Sequence, residues 1–217
     1  MNETLSPINY YLNDNVFDTL LPRRQQQLSK IHWTPLHIAK KAATFLAETP
    51  GTRVLDIGSG VGKFCLTAAN HFPEAEFYGI EQREDLVEIA NNAKRTSETR
   101  NAHFKHGNFT QIEFEAFKGI YFYNSFCENI IIKDFQYDFN DSFNNYSDLI
   151  DLAHIDDRLE LSPSLYHYYS NYLNNALDHM PSGSKLVTYH GVELEVPFSY
   201  NMVEEHFEKT LKFWIRK

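Results

Sequence analysis

The feature that most constrains this chain is a cluster of glycines directly behind a short apolar run. The stretch VLDIGSGVGKF begins at Val54 and contains three of the nine glycines of the 217-residue sequence. Residues 54–57 predict a buried strand. The glycines let the backbone turn sharply and approach a ligand without a Cβ in the way. A helix is predicted from Lys63 to the residue before Pro73, so its first free N–H groups would face the turn.

A second strand, predicted over residues 76–80, completes a β-α-β unit with this helix. Such units build parallel sheets that are covered by helices, so we expect an α/β fold. A helix over residues 34–47 should precede the unit, with Thr34 as its N-cap and Pro35 at its first position. Further strands are predicted over residues 101–106, 119–126, 184–191 and 211–217.

A long helix is predicted over residues 162–180, between the fourth and fifth strands. Its apolar positions recur at helical spacing, and a tyrosine stripe at this spacing is typical of core packing rather than of a binding surface. The predicted apolar face comprises Leu165, Tyr168, Tyr169, Tyr172, Leu173, Ala176 and Leu177.

An acidic residue, Glu81, ends the second strand, 23 residues after Gly58. A carboxylate at this place in a nucleotide-binding fold accepts hydrogen bonds from ribose hydroxyls. The glycine spacing is G-x-G-x-G, whereas a dinucleotide fold uses G-x-G-x-x-G. The sequence therefore favours a nucleoside ligand over a nicotinamide dinucleotide, which stays as the alternative.

VLDIGSGVG together with FYGIEQ resembles the first two motifs of the class I S-adenosylmethionine-dependent methyltransferases. The resemblance implies a Rossmann-like, seven-stranded, mostly parallel sheet with helices on both faces, and S-adenosyl-L-methionine as cofactor. It implies that the loop from Asp56 to Gly62 holds the methionine part, that Glu81 binds the ribose and that Asn108 contacts the adenine. The residues assigned to the cofactor are Asp56, Gly58, Ser59, Gly60, Gly62, Glu81, Gln82, Asn108 and Phe109.

The fourth predicted strand ends in Asn124-Ser125-Phe126, where the resemblance places the transferable methyl group. This NSF is similar to the Asn-Asn-Phe of the non-SET histone-lysine methyltransferases, which also carry related loop motifs. The resemblance covers about residues 53–126 and implies shared ancestry of the cofactor site rather than a shared substrate. We assign Asn124 and Phe126 as the residues that position the methyl acceptor.

Charge is distributed unevenly along the chain. Residues 113–160 contain eleven acids and three bases, which leaves −8 of the total net charge of −9, and they also hold eleven aromatic residues. Acids with aromatic faces favour a cationic acceptor, either a small amine or a lysine side chain. An alternative is that the acids only keep a long insertion soluble. The acidic balance makes nucleic acid an unlikely partner.

The composition also bears on the cellular location of the protein. There is no apolar run long enough for a membrane span and no signal peptide. Two cysteines without metal-ligand spacing predict neither a disulfide framework nor a metal site, so we expect a cytoplasmic protein. The oligomeric state is open.

We divide the chain into an N-terminal extension or cap, residues 1–33, and a methyltransferase domain, residues 34–217. An acidic-aromatic insertion occupies about residues 127–160. The N-terminal residues either fold over the ligand or extend the domain, and His190 is a candidate base after the fifth strand. The predicted function is S-adenosylmethionine-dependent methyl transfer to an unidentified acceptor. The alternatives are a non-catalytic protein that binds the same cofactor and a nicotinamide-dependent oxidoreductase.

Overall fold

The computed structural model describes residues 8–123, 163–190 and 196–217. Within these residues a single sheet of seven strands forms the centre of the fold. The strands are β1 (Arg53–Ile57), β2 (Glu76–Glu81), β3 (Ala102–His106), β4 (Gly119–Tyr123), β5 (Lys185–Tyr189), β6 (Tyr200–His206) and β7 (Leu211–Arg216).

The strand order is β3-β2-β1-β4-β5-β7-β6. Strands β1 to β5 pair in parallel, whereas β7 is antiparallel to both of its neighbours. The order reverses between β1 and β4, and ligands of open α/β sheets bind outside the carboxyl ends of the strands at such a point. The predicted Rossmann-like sheet is thus confirmed.

Six helices accompany the sheet in the described part of the chain. They are α1 (Asp14–Asp18), α2 (Arg23–His32), α3 (Leu36–Leu46), α4 (Lys63–His71), α5 (Glu84–Thr96) and α6 (Pro163–Asp178). Helix α3 begins one residue later than predicted, because Pro35 occupies the N-cap position. The Thr34 hydroxyl lies 3.0 Å from that of Tyr121, so the prediction of Thr34 as the cap was wrong.

Alternate residues of the strands face two separate cores, as the period of two in a strand requires. One core joins Val54, Tyr121 and Val187 to helices α3 and α4. The other joins Ile57, Ile120 and Leu186 to α6. Both faces of the sheet are covered, which explains why β1 and β4 read as nearly continuous apolar runs.

Helix α6 packs on the second core through Leu173 and Leu177, which are almost fully buried. Tyr169 and Tyr172 pack against the same core, but Leu165 and Tyr168 are exposed. The buried face is therefore narrower than the predicted apolar stripe. No helix in the described residues is long and apolar enough to cross a bilayer.

Candidate functional site

The glycine turn follows β1 at the carboxyl edge of the sheet. Gly58, Gly60 and Gly62 have φ angles of 72°, 52° and 78°, in the left-handed region that glycine adopts without strain. The N–H groups of Gly58 and Ser59 both donate to the carbonyl oxygen of Ile80, at 2.9 and 3.1 Å. The turn is thus tied to the end of β2, beside Glu81.

Glu81 connects three parts of the site through its carboxylate. Its Oε2 accepts from the Gly60 N–H at 3.0 Å, and its Oε1 accepts from the Arg83 N–H, also at 3.0 Å. The side chain is buried and the Arg83 guanidinium lies 3.4 Å from Oε1. A carboxylate oxygen has two acceptor positions, so Oε2 keeps one for a further donor, whereas Oε1 accepts from both the N–H and the guanidinium of Arg83. Gln82, the next residue, is exposed.

Asp56 lies at the end of β1 beneath the glycine turn, and its side chain is buried. The pKa of its carboxyl group is raised to about 8, chiefly by burial and in smaller part by the neighbouring Glu81, although the Cys65 thiol, which donates to Oδ2 at 3.5 Å, lowers it. Asp56 therefore faces the start of α4 as a carboxylic acid that stays protonated at neutral pH.

Two residues assigned to the cofactor from sequence, Ser59 and Gly62, pack closely against neighbouring elements of the fold. The Ser59 side chain lies against Gly79 of β2, where a Cβ would lie 2.5 Å from its Oγ. A Cβ on Gly62 would lie 2.4 Å from Cζ of Phe104. Glycine at 62 and 79 is thus required by the close packing of the turn, α4, β2 and β3.

Asn108 and Phe109 follow β3 at the same edge of the sheet. The Asn108 Oδ1 caps a short 3-10 turn by accepting from the Thr110 N–H, and its Nδ2 donates to the Tyr169 hydroxyl at 3.0 Å. Phe109 is buried, and its ring packs against Phe114, Tyr169 and Tyr172. Helix α6 therefore holds the residues after β3 in place.

Three rings meet where β4 and β5 end. Tyr123 and Tyr189 pair in register, with ring centroids 4.7 Å apart, and His190 lies 4.3 Å from Tyr189 and 5.9 Å from Tyr123. His190 has a φ of 52°, and its N–H donates to the Thr210 carbonyl at 2.8 Å. Burial lowers the pKa of its imidazole, which favours the neutral form.

Two contacts that the sequence analysis did not assign to particular residues both involve the N-terminal residues. The Trp33 ring covers Gly60, since a Cβ there would lie 2.8 Å from Cζ3. Lys63, at the first position of α4, is buried and contacts Asp14 and Asp18. The signal available was a lysine at the start of a predicted helix, where the helix dipole disfavours a cation.

The predicted acceptor residues Asn124 and Phe126, and the insertion over about residues 127–160, lie outside the described residues. Within the described ranges, no group of three or more His, Cys, Asp and Glu side chains is arranged to hold a metal ion.

Comparison with known proteins is consistent with this arrangement. A family model described as a methyltransferase domain matches residues 48–133, which include β1 to β4. The magnesium protoporphyrin IX methyltransferase ChlM from Synechocystis PCC 6803, solved with bound SAM, superposes with a TM-score of 0.55 at 14% identity, and the match covers 100% of both chains. The chain therefore has a Rossmann-like fold that known methyltransferases share.

TrmN from Thermus thermophilus also superposes with a TM-score of 0.55, at 17% identity over 89% of this chain. The match covers 51% of the TrmN chain, so this chain spans about half of that protein's length. No curated protein sequence matches this chain. At these identities the structural similarity establishes the fold, and the narrower resemblance to the non-SET histone-lysine methyltransferases stays a prediction.

Proposed function

We propose that this protein is an S-adenosylmethionine-dependent methyltransferase whose cofactor lies along the carboxyl edge of the sheet, over the glycine turn and Glu81. The observation that carries the proposal is the hydrogen bond from the Gly60 N–H to Glu81 Oε2, at the point where the strand order reverses. A buried carboxylate acceptor thus lies next to a turn in which three of five residues are glycine. These residues fit a nucleoside with two free hydroxyls.

Different residues at the carboxyl edge of the sheet would contact different parts of the cofactor. Glu81 would accept from one ribose hydroxyl at Oε2 and from the other at Oε1 once the Arg83 guanidinium moves aside. Asn108, whose amide is held by the Tyr169 hydroxyl, would contact the adenine. Gly58 and Gly60 would line the methionine part. Ser59, Gly62 and Phe109 would act mainly by holding the backbone in place, since their contacts are with the fold. Asp56 supports the turn from below, and Gln82 follows Glu81 on the exposed side.

When bound, the cofactor supplies an activated methyl group on a sulfonium, and the protein chiefly supplies proximity and orientation. We assign the positioning of the acceptor to Asn124 and Phe126, directly after β4. The Tyr123, Tyr189 and His190 rings lie at the same edge. Aromatic faces attract cations, and a neutral imidazole can accept a proton, so these rings fit an amine acceptor better than an anionic one.

Isothermal titration calorimetry with S-adenosylmethionine, S-adenosylhomocysteine and NAD tests the proposal. We expect S-adenosylhomocysteine to bind and NAD not to bind. Glu81→Ala should weaken binding by about 2 kcal/mol, because the ribose hydroxyls and the Gly60 N–H lose their acceptor in a closed site. Glu81→Gln, which keeps one carbonyl oxygen, should lose less.

Glu88→Ala is the matched control, since Glu88 is an exposed carboxylate on the neighbouring helix α5. Unchanged S-adenosylhomocysteine affinity in a folded Glu81→Ala variant would contradict the placement. Tight NAD binding would favour the oxidoreductase. Turnover against a panel of amines and other metabolites then separates an enzyme from a protein that only binds the cofactor.

A further inference from the structure

Lys63 is a buried cation, and both its burial and its place at the start of a helix are energetically unfavourable. Its side chain is 2% exposed, and it begins α4, where the positive end of the helix dipole repels a cation. Burying a charge is costly unless it is paired and hydrogen-bonded. The position of Lys63 therefore depends on partners outside α4.

Those partners all come from the N-terminal residues. The Lys63 Nζ lies 2.7 Å from Asp14 Oδ1, 2.9 Å from Asp18 Oδ1 and 2.8 Å from Ser29 Oγ. An ammonium has three donors, and these three contacts use all of them. Lys63 therefore does not reach into the glycine turn, although it follows the last glycine directly in sequence.

The acidic partners of Lys63 are themselves tied into the N-terminal segment, which we define as residues 8–34. Asp14 Oδ1 also accepts from the Leu36 N–H at 3.1 Å, and Ser29 Oγ donates to Asp18 Oδ1 at 2.8 Å. One buried ammonium thus joins α1, α2 and the start of α3 to the first residue of α4.

The far end of the N-terminal segment contacts the site itself. The Trp33 ring packs on Gly60, and its Nε1–H donates to the Gln25 carbonyl at 3.0 Å. The Tyr123 hydroxyl, at the end of β4, donates to the Ile31 carbonyl at 3.1 Å. The segment therefore touches both the glycine turn and the edge of the sheet that we assign to the acceptor.

We propose that Lys63 is a positioning residue that couples docking of the N-terminal segment to cofactor binding. Through Asp14, Asp18 and Ser29 it fixes α1 and α2, which hold Trp33 against Gly60 and so complete one wall of the cofactor site. This inference rests on the proposed function for the identity of the ligand. The coupling is reciprocal, so a bound cofactor stabilises the docked segment by the same factor by which docking strengthens binding.

The first test needs no ligand. Hydrogen–deuterium exchange is compared between the wild-type protein and Lys63→Met, which keeps most of the side-chain length without the charge. We expect amides of residues 8–34 to exchange about tenfold faster or more, while those of β1 and β2 keep their protection. Lys41→Met is the matched control, because Lys41 forms an exposed ion pair with Glu204.

The second test measures S-adenosylhomocysteine affinity of the same proteins by calorimetry. Lys63→Met should bind about tenfold more weakly, whereas Lys41→Met should match the wild type. The triple variant Lys63→Met/Asp18→Leu/Ser29→Ala replaces the buried ion pair and its hydroxyl by apolar groups, an exchange that proteins often tolerate, and leaves the 42% exposed Asp14 to water. It should restore both slow exchange and affinity. Unchanged protection of β1 and β2 in every variant then excludes a general loss of stability as the cause.

Asp18→Asn provides the same comparison from the other side of the ion pair if Lys63→Met fails to fold. Unchanged exchange in the N-terminal segment overturns the role of Lys63. A released segment with unchanged affinity overturns the coupling. A wild-type protein that binds no S-adenosylhomocysteine overturns the proposed function, while the exchange experiment still decides whether Lys63 holds the segment.

Discussion

At the scale of single residues, the acid beneath the glycine turn links the site to the stability of the fold. Desolvation raises the pKa of Asp56 to about 8, well above the value of about 3.9 for an unfolded chain. The folded protein therefore keeps a proton that the unfolded chain has lost. The stabilisation is complete below pH 4 and is lost as the pH rises towards 8, by at most about 1.4 kcal/mol per pH unit.

Asp56→Asn removes this titration, so the variant and the wild type should respond differently to pH. We expect the free energy of unfolding of the wild type to fall relative to that of Asp56→Asn between pH 5 and pH 7. Urea denaturation at each pH measures this difference, and contributions of other groups cancel in it. Asp85→Asn, at an exposed position of α5, is the control. Parallel curves for the wild type and Asp56→Asn would show that Asp56 ionises normally.

At the scale of elements, α6 determines how the residues after β3 are presented. The Tyr172 hydroxyl donates to the Thr110 carbonyl at 2.6 Å, and the Tyr169 hydroxyl accepts from Asn108. Tyr169→Phe leaves the Asn108 amide without this partner. We expect a loss of about 1 kcal/mol in stability and several-fold weaker S-adenosylhomocysteine binding, about the value of one hydrogen bond.

Tyr168→Phe is the matched control, since Tyr168 is the adjacent residue and is 55% exposed. Its stability should stay within about 0.5 kcal/mol of the wild type, as for most surface substitutions. Denaturation and calorimetry on the two variants separate stability from affinity. Equal affinities of Tyr169→Phe and Tyr168→Phe for S-adenosylhomocysteine would contradict the assignment of Asn108 to the adenine.

The elements also show what the sequence could predict. Strands β1 and β2 and helix α4 were predictable, because apolar periodicity and the glycine and proline positions are local signals. The partner of Thr34 was not, since it is the Tyr121 hydroxyl, 87 positions away. Likewise, nothing local connects Lys63 with Asp18, 45 positions earlier, so the docking of the N-terminal segment on the glycine turn was left open.

The candidate site was predictable only in part for the same reason. The glycines and Glu81 carry a recognisable spacing, whereas the direction of a side chain depends on its packing. Ser59 and Phe109 were assigned to the cofactor by position, and the structure directs their side chains to Gly79 and to the rings around α6. Trp33 carries no motif, although it covers Gly60.

At the scale of the whole molecule, the distribution of charge bears on the methyl acceptor. Residues 113–160 carry −8 of the net charge of −9, and this range includes β4. A concentration of one sign of charge attracts ligands of the opposite sign and depends on ionic strength. The rings at the ends of β4 and β5 add a surface that suits a cation.

If the acceptor is cationic, its KM should rise with ionic strength, because salt screens the attraction over about 10 Å at 0.1 M. Replacing Asp134, Asp138 and Asp141 together by Asn should raise KM further and flatten its salt dependence, while kcat changes little. Steady-state kinetics at several salt concentrations measure both effects. Replacing the exposed acids Glu84, Asp85 and Glu88 of α5 by Gln or Asn removes the same charge elsewhere and should leave KM near the wild-type value. A KM that changes neither with salt nor with either set of substitutions would contradict the prediction, and so would a preference for an anionic acceptor. In either case, the acids would serve only to keep the insertion soluble.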